Sequence, residues 1–283
     1  MFKKLICTAA LFAAGMASAF QPQSGTWAVT SELNGKPGRG LAMDVQNGYL
    51  VMQMYAYEGD GRASFYLTSG AIDSNNAYYG PLTRYKNGRF FGSGPRTGEE
   101  DVVAGNVRIR FTTGTTGFIT FPGESEVAIS RFNFGYAAVP ASLKGIWTLT
   151  SMGSEGLLAD AVELTRQTPA STGGNGVMET PNGLFGCEHQ TRGSLAGGVL
   201  CVKINSSGTL QRAYYFLYSV DSGEGYSSRA GTGTEQMMFV QRVTTPAGVG
   251  TGIVYKSEPE SGAPSHPALR AHIEQLAAQG LQP

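Results

Sequence analysis

Residues 25 to 31 read Gly-Thr-Trp-Ala-Val-Thr-Ser, and residues 145 to 151 read Gly-Ile-Trp-Thr-Leu-Thr-Ser. Each opening starts a long series of short apolar runs separated by turns, and the two series end on similar strands. Residues 127 to 132 read Val-Ala-Ile-Ser-Arg-Phe, and residues 238 to 243 read Met-Phe-Val-Gln-Arg-Val. A duplicated unit is the simplest explanation. We therefore expect a first unit over residues 20–137 and a second over residues 138–244.

Alternating apolar and polar residues predict eight strands in each unit. In the first unit they lie near 25–31, 40–46, 49–57, 62–70, 77–85, 105–112, 116–121 and 125–133. In the second they lie near 145–151, 157–165, 175–179, 184–190, 197–205, 210–218, 225–232 and 235–243. Between Leu50 and Ala56 every even position is apolar, and Asn47-Gly48 before this run predicts a type I′ hairpin turn.

Sequential antiparallel strands joined by short connections favour up-and-down barrels, because a closed barrel has no exposed edge. We therefore predict an all-β protein with two consecutive eight-stranded meander barrels. A pair of β-sandwiches is the alternative, since strands alternate in and out in both architectures. Residues 245–283 are predicted to be a linker and a short C-terminal helix, with Ser265 as its N-cap and Gly280 as its stop.

The N-terminal residues have the three regions of a secretory signal peptide. Lys3 and Lys4 precede an apolar stretch that runs to Met16, and residues 17 to 19 read Ala-Ser-Ala. We expect residues 1–19 to be a signal peptide cleaved before Phe20. No later stretch reaches the about 20 apolar residues of a spanning helix, so no membrane span is predicted in the mature chain. The predicted location is the periplasm or the cell exterior.

Charge and cysteine content narrow the function classes. Removing residues 1–19 takes away two lysines and no acid, leaving nineteen basic and twenty-one acidic side chains, without the basic stripe of a nucleic-acid binder. Cys7 lies in the predicted signal peptide, so Cys187 and Cys201 remain as an even pair in an oxidising compartment. This pair predicts a disulfide. A metal or redox pair is the alternative, but only His189 lies nearby and a fourth ligand is missing.

The duplicated Gly-x-Trp opening, with an arginine on the last strand of each unit, resembles the calycin pattern shared by lipocalins and avidins. The matching residues are Trp27 with Arg131 and Trp147 with Arg242. The resemblance implies that each tryptophan closes one end of a barrel and that the arginine packs across its indole, which is a structural role.

The first unit is also similar to a repeat in uncharacterised exported bacterial proteins. The similar phrases are Gly-Leu-Ala-Met-Asp-Val at residues 40 to 45 and Phe-Tyr-Leu-Thr-Ser-Gly at residues 65 to 70. This resemblance brings no catalytic residue and no assigned activity.

Candidate catalytic and metal-binding residues are few. The chain has three histidines, at positions 189, 266 and 272, and it has neither a Gly-x-Ser-x-Gly elbow nor a phosphate-binding loop. Glu99, Glu100 and Asp101 are expected in a long loop near 86–104, either solvated or as a weak calcium site. We expect neither a catalytic residue nor a cofactor or metal. The alternative is a hydrolase with a site between the units that uses His189, Glu188 or paired acids.

Aromatic residues crowd the first unit, and an eight-stranded barrel either is filled by side chains or holds one small ligand. These aromatics are Tyr49, Tyr55, Tyr57, Phe65, Tyr66, Tyr78, Tyr79 and Tyr85. We therefore expect an exported, non-catalytic protein that binds a small apolar or aromatic compound or a partner protein at the cell envelope.

Overall fold

The computed structural model describes residues 21–252. The predicted signal peptide, the cleavage site before Phe20 and the predicted C-terminal helix lie outside the described residues. The described residues as far as Thr251 fall in one compact unit. Within this part of the chain, no helix is long and apolar enough to cross a membrane.

The first sheet is a closed barrel in which eight strands follow one another in sequence order. β1 pairs with β2 on one side and with β8 on the other, so this sheet has no free edge. The strands are β1 (Gly25–Val29), β2 (Gly40–Gln46), β3 (Tyr49–Tyr57), β4 (Ala63–Ala71), β5 (Ala77–Lys86), β6 (Glu99–Phe111), β7 (Thr116–Thr120) and β8 (Val127–Arg131). A single-turn 3-10 helix, Thr30–Glu32, follows β1.

Buried and exposed side chains alternate strictly along β3, and the buried row faces the barrel core. Along β3 the four even positions from Leu50 to Ala56 are buried and the odd positions are exposed. The turn before β3 has Asn47 at φ 49° and Gly48 at φ 72°, which is the backbone of a type I′ turn. The interior is filled by large apolar side chains, among them Trp27, Met52 and Ile109. The predicted hairpin and the predicted buried face are therefore confirmed.

The segment 86–104 was predicted as a loop, and this prediction is wrong for its second half. β6 begins at Glu99 and pairs with β5 as far as Lys86, so the two strands form a long hairpin. Two register shifts interrupt this ladder, and its outer part is joined by the ion pairs of Asp101 with Arg84 and Lys86. The sequence does not indicate this part of the strand, because irregular pairing and charged side chains leave no apolar alternation.

The second sheet has nine antiparallel strands and remains open, as a half-barrel whose edges are β10 and β11. Its strands are β9 (Gly145–Gly153), β10 (Gly156–Leu164), β11 (Arg166–Thr168), β12 (Gly174–Glu179), β13 (Phe185–Gln190), β14 (Val199–Ile204), β15 (Leu210–Ser219), β16 (Ser222–Arg229) and β17 (Glu235–Arg242). A short 3-10 helix, Pro140–Leu143, precedes β9. The all-β prediction with two barrel-like units is confirmed, and the structure adds that only the first unit closes.

The predicted disulfide is confirmed. Cys187 on β13 and Cys201 on β14 lie directly opposite each other in the ladder and are bonded. Both sulfur atoms belong to the apolar core of the half-barrel. The bond therefore joins neighbouring strands near the middle of the second sheet.

Direct contacts join the barrel to the half-barrel. The Gln23 side-chain amide donates to the Ser222 carbonyl at 3.0 Å, and the Ser219 hydroxyl donates to the Asn133 side chain at 2.5 Å. The Glu224 carboxylate accepts from the Gly114 backbone N–H. Burial at this contact raises the pKa of Glu224, although the Gly114 N–H opposes the shift.

Candidate functional site: the mouth of the closed barrel

A cavity of about 520 Å³ lies at one end of the closed barrel. Its lining residues lie towards the ends of β1, β3, β5 and β7 and towards the beginnings of β2, β4 and β6, so we call it the mouth of the barrel. Its apolar walls are Met54, Ala56, Leu82 and Phe121. The inward row of β3 ends in Ala56, after the larger Leu50, Met52 and Met54. This reduction in side-chain size leaves space at the mouth, whereas the deeper part of the barrel is filled.

Arg39, in the connection between β1 and β2, lies on the rim of this cavity. Its guanidinium pairs with Glu32 at 2.7 Å and with Glu124 at 2.8 Å, and it stacks 4.2 Å above the Phe121 ring. The Arg39 backbone N–H also donates to Glu32 at 2.7 Å. Burial alone would raise the pKa of Glu32, but these donors hold it below its usual value. Arg39 therefore connects both loops that flank the mouth to its apolar wall.

A second charged cluster lies on the opposite rim. Arg84 pairs with Glu58, and its other amino group lies 2.6 Å from Asp101. The Tyr66 hydroxyl, which lines the cavity, donates to Glu58 at 3.0 Å. The Arg84 guanidinium, together with the Ser64 and Tyr66 hydroxyls, lowers the pKa of Glu58 to about 2. Every acid of this cluster is ionised and already paired at neutral pH.

The paired charges at the mouth favour an uncharged ligand. The rim arginines, Arg39 and Arg84, each hold two carboxylates, so neither guanidinium is free to take an anionic ligand. The wall offers carbon atoms, an aromatic ring and a thioether. Such a surface gains free energy by excluding water with an apolar ligand.

In each unit the tryptophan of the first strand lies opposite the arginine of the last strand, and neither pair lines the mouth. Arg242 lies 4.0 Å above the Trp147 ring and 4.5 Å from the Tyr136 ring. Arg131 is opposite Trp27 in the β1–β8 ladder, but its guanidinium donates to the Thr26 carbonyl at 2.8 Å and lies over Gly25. A Cβ at position 25 would lie 2.0 Å from that guanidinium, which explains the glycine of the first Gly-x-Trp.

His189 and Glu188 face different surroundings although they are adjacent on β13. His189 Nε2 lies 3.2 Å from the Ser142 hydroxyl and 3.5 Å from that of Tyr218. Burial and the nearby Arg242 lower the pKa of His189 to about 4. Glu188 instead accepts from the Ser171 and Gly176 backbone N–H groups, both at 2.9 Å. No acid contacts His189 in the described part of the chain, so the geometry lacks the third member of a serine triad.

The other predicted site residues do not form a metal site. Glu99, Glu100 and Asp101 lie on β6, and Asp101 is held by Arg84 and Lys86. Between residues 21 and 252, no group of three histidine, cysteine or acidic side chains is arranged to hold a metal ion.

Most of the aromatics predicted to crowd the barrel point outward. The exposed ones are Tyr49, Tyr55, Tyr57, Phe65 and Tyr79, whereas Tyr66 and Tyr78 pack in the interior and Tyr85 is half-buried. Sequence reasoning did not single out Arg39, Ala56 or Phe121 as site residues. The decrease in side-chain size along β3 was the one signal of a cavity that the sequence contained.

No protein-family model, no curated protein and no solved structure matches this chain.

Proposed function

We propose that the closed barrel binds a small, uncharged apolar or aromatic compound in its mouth. The observation that carries this proposal is the cavity of about 520 Å³ with an apolar wall above a filled core. Small-molecule sites are usually clefts of about 300–1,000 Å³ with apolar walls and few polar groups. The paired charges on the rim support an uncharged ligand, because a charged one would have to displace an existing ion pair.

A calycin-like relationship is part of this proposal. A closed barrel of eight sequential strands that opens with Gly-x-Trp is compatible with that group. In the second unit, Arg242 packs over Trp147 as the resemblance implies. The duplicated openings support an origin of both units from one repeat.

Export is the other part of the proposal. The Cys187–Cys201 disulfide is typical of proteins from oxidising compartments, and the first nineteen residues have the pattern of a signal peptide. The test is the intact mass of the protein from its own cell. A chain that begins at Phe20 is the expected result, and a mass that includes residues 1–19 would contradict export by this route.

The ligand proposal is tested with N-phenyl-1-naphthylamine, an uncharged aromatic probe that fluoresces in apolar surroundings. We expect saturable fluorescence enhancement with the purified protein. The Ala56→Phe substitution places a ring in the cavity and should abolish the enhancement. Ala63→Phe is the matched control, because Ala63 is exposed on the outer face of the neighbouring strand. Native mass spectrometry of gently purified protein then identifies the natural ligand as a mass released on unfolding.

Two outcomes would contradict the proposal. One is the absence of saturable probe binding by the unsubstituted protein. The other is equal binding by the Ala56→Phe and Ala63→Phe variants, which would place the probe outside the mouth. Near-ultraviolet circular dichroism of both variants shows whether each retains the packing of the barrel.

A further inference from the structure

The hairpin between β5 and β6 ends in a loop, residues 87–98, that we call the aromatic tip. It carries two adjacent phenylalanines, Phe90 and Phe91, whose exposed fractions are 64% and 106%. Phe91 therefore contacts almost nothing among the described residues, and Phe90 is largely exposed. Exposed apolar side chains of this size gain free energy from removal from water, so an exposed pair at a protruding point indicates an interaction surface.

The aromatic tip is an ordered turn. The Ser93 backbone N–H donates to the Phe90 carbonyl at 2.9 Å, and the Phe90 N–H donates to the Ser93 hydroxyl at 3.1 Å. Phe91 and Gly92 are the central residues, and Gly92 has φ +82°, the value that the third position of a type II turn requires. These two hydrogen bonds hold the backbone of Phe90 and Phe91 in a tight turn at the end of the hairpin.

The charge of the aromatic tip has one sign. Residues 87–98 contain two arginines, Arg89 and Arg96, and no acid. Neither arginine has an ion pair with another described residue: Arg89 donates to the Ser93 carbonyl at 3.4 Å, and the Arg96 guanidinium lies 5.6 Å from the Phe90 ring. The nearest acid along the chain is Glu99, the first residue after the loop, and it accepts from Asn87 at 2.7 Å. Both cations are therefore available to an anionic surface.

The position of the aromatic tip makes it accessible. Leu82 on β5 and Ala104 on β6 line the mouth, and the two strands continue past it to Lys86 and Glu99 before the loop begins. The tip therefore protrudes beyond the barrel at the mouth. A convex loop of this kind fits a deformable lipid surface, into which it can insert, better than it fits a flat protein surface.

We propose that the aromatic tip inserts into the headgroup region of a bilayer that contains anionic phospholipid. Phe90 and Phe91 enter the boundary between headgroups and acyl chains, and Arg89 and Arg96 bind lipid phosphates. Aromatic side chains favour this interface, and each nearby arginine is attracted by the negative surface potential. The proposal uses no residue of the cavity wall and does not depend on ligand binding in the mouth.

The test is co-sedimentation of the purified protein, its N-terminal residue established by mass, with vesicles of equal parts phosphatidylglycerol and phosphatidylcholine. Phe90→Ser with Phe91→Ser should weaken binding at least about tenfold, because two apolar side chains no longer leave water. The matched control is Tyr55→Ser with Phe65→Ser, a cross-strand pair on the outer wall with exposed fractions of 54% and 45%. The control should bind as the unsubstituted protein does.

Substitution of the two cations separates lipid charge from apolar insertion. Arg89→Gln with Arg96→Gln should reduce binding to the phosphatidylglycerol vesicles by about thirtyfold, since each surface cation contributes about 1 kcal/mol. Binding to vesicles of phosphatidylcholine alone should be weak and unchanged by this substitution.

A Phe91→Trp variant reports insertion directly. We expect its emission to shift to the blue with the mixed vesicles and to be quenched by lipids brominated in the acyl chain, whereas Phe65→Trp should show neither change. Three results would overturn the proposal: no binding of the unsubstituted protein to the mixed vesicles, equal losses in the tip and wall variants, or no quenching of Phe91→Trp. Binding of the tip to a purified protein in place of vesicles would assign the loop to a protein partner.

Discussion

The closed barrel and the half-barrel differ at one place in their strand order. In the barrel, the turn at Asn47 and Gly48 folds β3 directly back on β2, and the two strands pair over seven positions from Gly40↔Tyr55 to Gln46↔Tyr49. In the second unit, β10 ends at Leu164 and the chain continues into the short β11, which pairs with β12 alone. One missing hairpin ladder is therefore enough to leave a rolled sheet open.

Side chains hold the free edge of the half-barrel where the ladder is missing. Asp160 on the edge strand β10 accepts from the Tyr214 hydroxyl at 2.6 Å and pairs with Lys203 at 2.5 Å, both on strands across the interior. Burial and Asp160 raise the pKa of Tyr214, so its hydroxyl remains a donor. The interior of the half-barrel is therefore partly polar, whereas the barrel interior is filled by apolar side chains.

The largest expected effect comes from the two tryptophans. Trp27→Ala and Trp147→Ala should each lower the free energy of unfolding by about 3–5 kcal/mol, as for a buried aromatic side chain. Trp147→Ala should cost more, because it also removes the ring stacked on the buried Arg242. Urea denaturation measures both values. A cost below about 1 kcal/mol would contradict the burial of these rings.

Loss of the disulfide, which lies in the half-barrel, should have the next largest effect on stability. The Cys187–Cys201 bond closes a loop with a sequence separation of 14, so the Cys187→Ser and Cys201→Ser double variant should be less stable by about 3 kcal/mol. Addition of a reductant to the unsubstituted protein should give the same shift in the urea midpoint. An unchanged midpoint would show that the bond contributes nothing to the half-barrel.

Between pH 7 and 4, stability should depend on pH more in the half-barrel than in the barrel, because His189 titrates in this window and Glu58 mostly below it. The pKa of His189 in the folded state is about 4, below the usual 6.5 of a solvated histidine, so the unfolded chain binds the proton more readily. Its contribution to stability is complete above pH 6.5 and is lost as the pH falls towards 4, by about 2–3 kcal/mol. His189→Gln should remove this slope in thermal unfolding measured between pH 7 and 4.

The smallest expected effect tests the hairpin that closes the barrel. Gly48→Ala should cost about 1 kcal/mol, because φ +72° is unfavourable for a residue with a Cβ. Gly59→Ala is the matched control, since a Cβ at either position would meet no atom within 4 Å and only Gly48 has a positive φ. Equal costs for the two substitutions would remove the special role of the Asn47-Gly48 turn.

Sequence periodicity identified most strands because alternation is a local property. The buried row from Leu50 to Ala56 and the turn before it were predicted and confirmed. The first half of β6 was missed, because its pairing with β5 is irregular and its side chains are charged. The mouth was also missed, because its residues come from connections that are far apart in the chain, such as Arg39 and Glu124.

The all-β class, the order of the strands and the Cys187–Cys201 pair could be predicted from the order of the residues, because each depends on short-range alternation, turn chemistry or the count of one residue type. That the first sheet closes and the second remains open could not be predicted in this way. Closure depends on the twist and register summed over a whole sheet. The cavity, the Arg39 contacts and the protruding aromatic tip follow from that closure, since it is what brings the ends of eight strands to a common rim.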